Sequence, residues 1–480
     1  MVPVKVSDMS KGQVRDVTST AERATGGAVP GAEERSIEFV PLEERHGSVR
    51  SLFTVWFGAN MQVTSAVTGA LGVVLGLPLP WAIVALAIGN LLGAVFMALH
   101  SAQGPKLGIP QMIQSRAQFG FYGAIVPLVL VVLMYVGFFA TSAVLGGSAL
   151  AGWWGIGRTP ATIVVSVACT VLAVYGYRLI HQYERWISLI AALAFAYLTY
   201  RLLTGHHVSG VWHSGHVGAG TFLLVVAIAA TWQITYAPYV ADYSRYLPET
   251  TSVRAAFWWT YAGTVIGTLW MMIFGSLCAA VAAKSFEGGS VSFVVGLARP
   301  HWAFSLVIVA GIVAVNVLNL YGMFMSATTT LTALRPIQMR GGIRLGFILA
   351  AAVVGTVVAL AASADFLENF ENFILFLAYF LIPWTAINLV DFYFVRRGRY
   401  DIDAIFRPDG IYGGVNWRTI GAYVIGVAVE VPFVSTTFYT GPLVEHLGGA
   451  DVSWVIGLIV ASGLYYAWTR PAARAAAKAA

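Results

Sequence analysis

The chain of 480 residues is 58% hydrophobic and 10% charged, with a formal net charge of +6. Soluble domains carry about 25% charged residues, so this chain lacks the polar groups to cover a globular surface, and lipid must be its solvent. The basic excess sits in short loops between apolar runs, which removes nucleic acid as its explanation and points to membrane orientation.

Residues 1–45 are polar, mixed in charge and interrupted by Gly26-Gly27-Ala28-Val29-Pro30-Gly31. No apolar h-region lies near the start, and the segment reads as a disordered cytosolic tail. Twelve apolar runs follow, each near the ~20 residues a helix needs to cross hydrocarbon. They are spans 1 (51–76), 2 (79–100), 3 (121–150), 4 (160–177), 5 (185–203), 6 (218–242), 7 (255–283), 8 (303–333), 9 (345–363), 10 (372–395), 11 (419–439) and 12 (452–469). The first ten form one unit over 46–397. A cytosolic loop with spans 11 and 12 covers 398–470, and an Ala-rich basic tail covers 471–480. With the N-terminus placed in the cytosol, the cytosolic loops and C-terminal tail hold 17 Lys and Arg, whereas the outer loops hold four, Arg158, Arg201, Lys284 and Arg299. That contrast puts both termini in the cytosol, with the protein multi-pass in the cytoplasmic membrane.

Most spans read as plain lipid-facing helices, but three do not. Span 1 contains Gly58-Ala59-Asn60-Met61-Gln62-Val63-Thr64-Ser65-Ala66-Val67-Thr68-Gly69, five polar side chains bracketed by glycines. Span 6 contains Thr231-Trp232-Gln233-Ile234-Thr235-Tyr236-Ala237-Pro238-Tyr239-Val240-Ala241-Asp242, in which Pro238 breaks the helical ladder. Span 8 carries Asn316 and Asn319, two amides one turn apart. Irregular backbone in a bilayer is tolerated where it lines a cavity. Spans 1 and 6 are five apart, so spans 1–5 and 6–10 form inverted repeats with a site at their interface; the competing reading is polar glue between helices. Phe138 and Ser142 share a face of span 3. Rings plus amides around a cavity suit a flat, polar, neutral heterocycle.

These residues resemble the nucleobase–cation symporter family, which includes purine–cytosine, uracil and allantoin permeases and hydantoin transporters. The resemblance runs from Glu43-Glu44-Arg45 to about Gly414. It is carried in order by Trp56-Phe57-Gly58-Ala59-Asn60 through Thr68-Gly69-Ala70-Leu71-Gly72, by Ser115-Arg116-Ala117-Gln118-Phe119-Gly120, and by Tyr236-Ala237-Pro238-Tyr239-Val240-Ala241-Asp242-Tyr243-Ser244-Arg245-Tyr246. Asn316-x-x-Asn319-x-Tyr321 and Asp391-Phe392-Tyr393-Phe394-Val395-Arg396-Arg397-Gly398-Arg399-Tyr400 complete it. It implies an all-α fold of the leucine-transporter (LeuT) type, five-plus-five inverted repeats with two C-terminal helices added. It also implies a substrate site between spans 1, 3, 6 and 8. Phe138 and Tyr236 stand where the family has stacking tryptophans, and Ser142 stands where it has Asn or Gln. Asn316 and Asn319 match the span 8 amides, while Gln62 and Thr64 fall in the broken part of span 1. The implied activity is import of a purine or cytosine. The departures at Phe138, Tyr236 and Ser142 keep a related ring (allantoin, hydantoin, uracil or thiamine) open as the cargo.

Sodium-coupled relatives place Ser and Thr hydroxyls in span 8, but Leu306 to Met325 contains none, and Val313 and Ala314 occupy those positions. Proton coupling is therefore expected, with sodium the weaker alternative. Glu430 reads as the acidic residue near the middle of a span, where a charge costs about 2.5–3.5 kcal/mol, and is the candidate proton carrier. Asp242, Arg245 and Arg116 are candidates for ion pairs in gating. Cys169 and Cys278 read as small buried hydrophobes. His206, His207, His213 and His216 read as a solvated loop, so neither a metal site nor a cofactor is expected. The chain lacks the paired carboxylates, His clusters or nucleophile of a membrane enzyme and the filter of a channel. A sensor that binds without transporting is the remaining alternative from another class.

Overall fold

All twelve apolar runs carry helix in the computed structural model, which describes residues 37–479 except Gly176, Ser214 and 336–340. Two runs are interrupted. Span 1 is Ser51–Ala59 and Val63–Val74, and span 6 is Ala219–Ile234 and Val240–Ser244. The others are continuous: Leu79–Ser101, Ile125–Trp154, Arg158–Tyr175, Tyr177–Gly205, Val253–Val281, His301–Leu334, Gly341–Ala361, Phe366–Val390, Trp417–Glu430 and Ser453–Ala479. Seven of the described helices are long and apolar enough to cross a membrane unaided, and the two halves of broken spans are too short to do so. Among the described residues the nearest thing to a sheet is one isolated bridge, Ser435 to Thr440.

Two sequence expectations need correction, and helix also runs in two places where the sequence reading marked none. Span 11 ends at Glu430 rather than 439, because Pro432 stops the ladder and a short 3₁₀ turn, Val431–Phe433, follows. Glu430 is thus the last residue of its helix, not its middle. Residues 37–45, assigned to the disordered tail, pack onto the face beside span 2: Val40 N donates to the Gly108 carbonyl, and Arg45 donates to the carbonyls of Val40 and Pro105. Residues 1–36 lie outside the described residues. The Ala-rich tail continues the span 12 helix to Ala479. Finally, the loop after span 7 is helical over Ala283–Gly296, in two short pieces that meet at a kink at Gly289.

Spans 1, 2, 6 and 7 pack chiefly on one another, as do spans 3, 4, 8 and 9. The first group is sealed by glycine. A Cβ on Gly89 or Gly93 of span 2 would fall on the Val226 or Ala230 carbonyl of span 6. On the other seam, a Cβ on Gly69 of span 1 would strike Met272, and one on Gly275 of span 7 would strike the Ala66 carbonyl. Small residues allow backbones to approach this closely where no hydrophobic force drives association. The two seams, span 2 on span 6 and span 7 on span 1, exchange under the five-plus-five repeat. Spans 10 and 12 and the helix Gln111–Phe119 converge on Asp391, which is fully buried. It accepts from Gln118 Nε2 (3.0 Å), Arg396 Nε (3.1 Å), Tyr400 OH (2.7 Å) and Tyr465 OH (2.7 Å).

Overpacking a seam costs about 1–3 kcal/mol even where side chains can shift, and here the obstacle is backbone. Gly275→Val is therefore expected to lower the Tm and folded yield in detergent. Gly311→Ala, which has open space in span 8, is expected to leave both unchanged or higher; equal Tm values would contradict the seam.

Candidate functional site

Span 1 breaks because its polar side chains take over the bonds that the helix gives up. Gln62 is extended (φ −140°, ψ 154°). Asn60 Nδ2 donates to the Trp56 carbonyl (2.8 Å), and Gln62 Nε2 donates to the Ala59 carbonyl (2.9 Å). The backbone N–H groups of Asn60, Met61 and Gln62 reach the carbonyls of Phe57, Gly58 and Asn60. The second half-helix then starts at Val63 with its N-terminus inside the protein. Three buried polar atoms at this point have no hydrogen-bond partner among the described residues: Gln62 Oε1, Thr64 Oγ1 and Ser65 Oγ. A buried polar atom without a partner costs about 1–3 kcal/mol, so such a cluster marks where an external hydrogen-bonding group belongs.

Span 6 supplies rings. Its helix stops at Ile234, and Thr235 Oγ1 caps the Trp232 carbonyl at 2.7 Å. Trp232 and Tyr236 are one turn apart and meet edge-on at 6.2 Å. Both are buried, and the Gln62 side chain lies beside the Tyr236 phenol. Phe138 of span 3 meets Trp232 edge-on at 6.0 Å.

Span 8 is antiparallel to span 3, and their register is fixed by three contacts. A Cβ on Gly146 would lie 2.8 Å from Ile312, Asn316 Nδ2 donates to the Phe139 carbonyl at 3.1 Å, and Gly322 sits under the Tyr135 ring. This register sets Phe138 at the depth of Asn319, and Ser142, fully buried, about one turn away. Asn319 Nδ2 donates to Asn316 Oδ1 at 3.1 Å. Asn316 therefore uses both ends of its amide inside the protein and orients Asn319, whose Oδ1 makes no hydrogen bond among the described residues. The structure thus joins Gln62, Phe138 and Tyr236 through direct ring and amide neighbours and places Asn316, Asn319 and Ser142 by register. Thr64 lies one residue into the second half-helix, its hydroxyl without a partner.

Rings close the site toward both faces. On the face bearing residues 37–50, Trp56 meets Tyr236, Tyr239 and Tyr243 at 5.5, 6.2 and 5.3 Å, and Tyr135 meets Tyr239 at 5.8 Å. Toward the other face, Phe373 of span 10 lies edge-on to Phe138 at 5.2 Å.

The charged candidates lie outside this centre. Asp242 Oδ1 accepts from the Gln111 backbone N–H at 2.7 Å, at the start of the helix Gln111–Phe119. Arg245 lies over the Tyr246 ring at 4.9 Å and donates to the Glu38 carbonyl at 3.2 Å. Arg116 departs from the expected ion pair: its guanidinium rests 4.3 Å over the Phe121 ring and reaches the Thr329 carbonyl. Burial pushes it down to about 10, so it remains charged at neutral pH. Glu430 is buried against Gly457, and its oxygens have no hydrogen-bond partner among the described residues. Sequence reasoning passed over Asn60, Ser65, Trp232 and Phe373. The signal for the first three was present in the two broken segments; nothing in the apolar run of span 10 singles out Phe373.

Comparison with known proteins agrees with this architecture. The model of a family described as permeases for cytosine/purines, uracil, thiamine and allantoin matches residues 39–457. The putative purine-cytosine permease YxlA of Bacillus subtilis is 48% identical over 92% of this chain and 96% of its own. The purine-cytosine permease fcyB of Emericella nidulans is 29% identical over 94% of each. Among solved structures, Mhp1, a nucleobase-cation-symport-1 family transporter closed on bromovinylhydantoin, superposes with a TM-score of 0.72 at 20% identity, covering 94% of this chain and 96% of that one. Its inward-facing conformation gives 0.74 at 22% identity over the same shares. The fold is therefore that of a LeuT-like transporter.

Asn319→Ala is expected to weaken binding of a heterocycle by about 10- to 100-fold, one buried hydrogen bond of 1–3 kcal/mol, at unchanged expression and Tm. Unchanged affinity in a binding assay on the purified protein would remove Asn319 from the site.

Proposed function

We propose that this chain, which belongs to the family of permeases for cytosine/purines, uracil, thiamine and allantoin, imports a purine or cytosine across the cytoplasmic membrane by proton symport. The observation that carries the proposal is the pairing of ring walls with unused acceptors. Phe138, Trp232 and Tyr236 form a ring cluster beside the span 1 break, where Gln62 Oε1, Thr64 Oγ1 and Ser65 Oγ are buried without a hydrogen-bond partner among the described residues. Spans 1, 3, 6 and 8 contain no Lys or Arg, so the ligand is neutral. A flat ring with donors and acceptors on its edge satisfies both surfaces. The relatives described as purine-cytosine permeases favour that branch.

Two features support the proton. Val313 and Ala314 bring no oxygen to span 8, and the carbonyls at the span 1 break, from Trp56 to Asn60, already accept hydrogen bonds from within the protein. A hard cation wants several oxygens at once, and this break holds its own. Glu430 is the proposed proton carrier, a buried carboxyl without a hydrogen-bond partner. The positive-inside contrast supports a cytosolic location for the face bearing residues 37–50. A carrier of a related ring and a non-transporting sensor are the other readings.

A thermal-shift series over cytosine, adenine, guanine, hypoxanthine, uracil, xanthine, allantoin, hydantoins and thiamine tests the cargo, since a bound ligand stabilises the native state by mass action. Purines or cytosine are expected to raise the Tm; a response to allantoin or thiamine alone would overturn the assignment. In liposomes, counterflow is expected, and accumulation should follow a pH gradient without sodium. Glu430→Gln is expected to abolish proton-driven accumulation while leaving binding intact.

A further inference from the structure

Asn60 is fully buried at the end of the first half of span 1 and makes four hydrogen bonds, all that a carboxamide can make. Oδ1 accepts from Trp232 Nε1 at 3.1 Å and from Tyr236 OH at 3.0 Å. Nδ2 donates to the Trp56 carbonyl at 2.8 Å and to Thr264 Oγ1 at 3.3 Å. The partners dictate the amide's orientation. An indole N–H only donates and a carbonyl only accepts, so a flipped amide would oppose donor with donor and acceptor with acceptor.

One atom of span 1 therefore holds two rings of span 6 at the candidate site. The chain of bonds continues through buried groups on spans 2, 6 and 7. Thr264 Oγ1 donates to Gln233 Oε1 at 2.6 Å, and Gln233 Nε2 donates to Asn90 Oδ1 at 2.9 Å and to Thr268 Oγ1 at 3.0 Å. Asn90 follows Gly89, and Thr264 follows Gly263, where span 7 meets the Phe53 carbonyl of span 1. The amide of Asn60 is thus anchored on its nitrogen side to the glycine-sealed frame.

We infer that Asn60 is a positioning residue that sets ligand selectivity. It takes up the donor protons of the Tyr236 hydroxyl and the Trp232 N–H, so these two rings offer the ligand ring surface and no hydrogen-bond donor, and donor recognition falls to Gln62, Thr64, Ser65 and Asn319. This rests on the heterocycle site proposed above. Asn60→Leu keeps the branched shape in a somewhat larger side chain and removes all four bonds, which frees the Tyr236 hydroxyl proton as a new donor to the ligand.

The test compares dissociation constants of purified protein for the two purine or pyrimidine bases that the wild type binds best. Asn60→Leu is expected to change their ratio by about tenfold, the scale of one hydrogen bond. Tyr236→Phe alone is expected to weaken both by the same small factor and keep the ratio. Combined, the two substitutions are expected to return the ratio toward wild type, because the freed hydroxyl is gone. An unchanged ratio in Asn60→Leu, or an equal change in Tyr236→Phe alone, would overturn the inference. A ligand-free arm reads the indole band in near-ultraviolet circular dichroism. Asn60→Leu is expected to alter it in the wild-type background and not in Trp232→Phe; an unaltered band overturns the inference whatever the ligand. If the wild type binds none of the bases, the functional reading fails and the indole arm alone decides. If Asn60→Leu does not fold, Tyr236→Phe decides, since a loss confined to one base would show the hydroxyl touching ligand.

Discussion

A backbone carbonyl released inside hydrocarbon has no water to accept from, and the centre of this molecule is organised around that constraint. Where spans 1 and 6 come apart, the released groups are met by side chains from the break itself: the amides of Asn60 and Gln62, and the hydroxyl of Thr235. Some of these side chains have two ends. Gln62 caps the Ala59 carbonyl with its nitrogen and leaves its oxygen without a hydrogen-bond partner among the described residues. Satisfying the break and lining the site are thus one arrangement, which is why both features share the same few residues.

The surrounding helices divide the work. Spans 1, 2, 6 and 7 are joined by glycine contacts and by the buried chain through Asn60, Thr264, Gln233 and Asn90, so the halves of both broken spans are tied to one unit. Spans 3 and 8, in register along their length, provide the opposing wall. The ring groups around Trp56 and at Phe373 come from different helices, and alternating exposure of a central site needs separable closures of this kind.

Much of this was legible in the chain. Apolar runs found the helices because length and hydropathy are what a bilayer selects. The broken spans were visible because five polar residues between glycines, or a proline between tyrosines, have no other place in a lipid-facing helix. The end of span 11 was not visible, since the residues of the run after Pro432 carry no charge and mix Phe, Val and Tyr with Ser and Thr although the helix has ended. The helix Ala283–Gly296 was missed because it lies outside the apolar pattern. Asn60 was passed over because its importance comes from two partners more than 170 residues away, a pairing that local spacing does not encode. Arg116 looked like half of an ion pair beside acidic span ends, and a ring took the place of the carboxylate.

The glycine seams also bear on how such a chain changes over time. Their contacts are backbone on backbone, so the frame they hold does not depend on which side chains face the cavity. Phe138, Ser142 and Tyr236 can drift without disturbing the approach of span 2 to span 6 or of span 7 to span 1. Cargo and architecture are then separate heritable traits, and a single scaffold can diversify across cytosine, purines, uracil, thiamine and allantoin, the cargoes named for its family, by exchanging a few residues at one depth in the membrane.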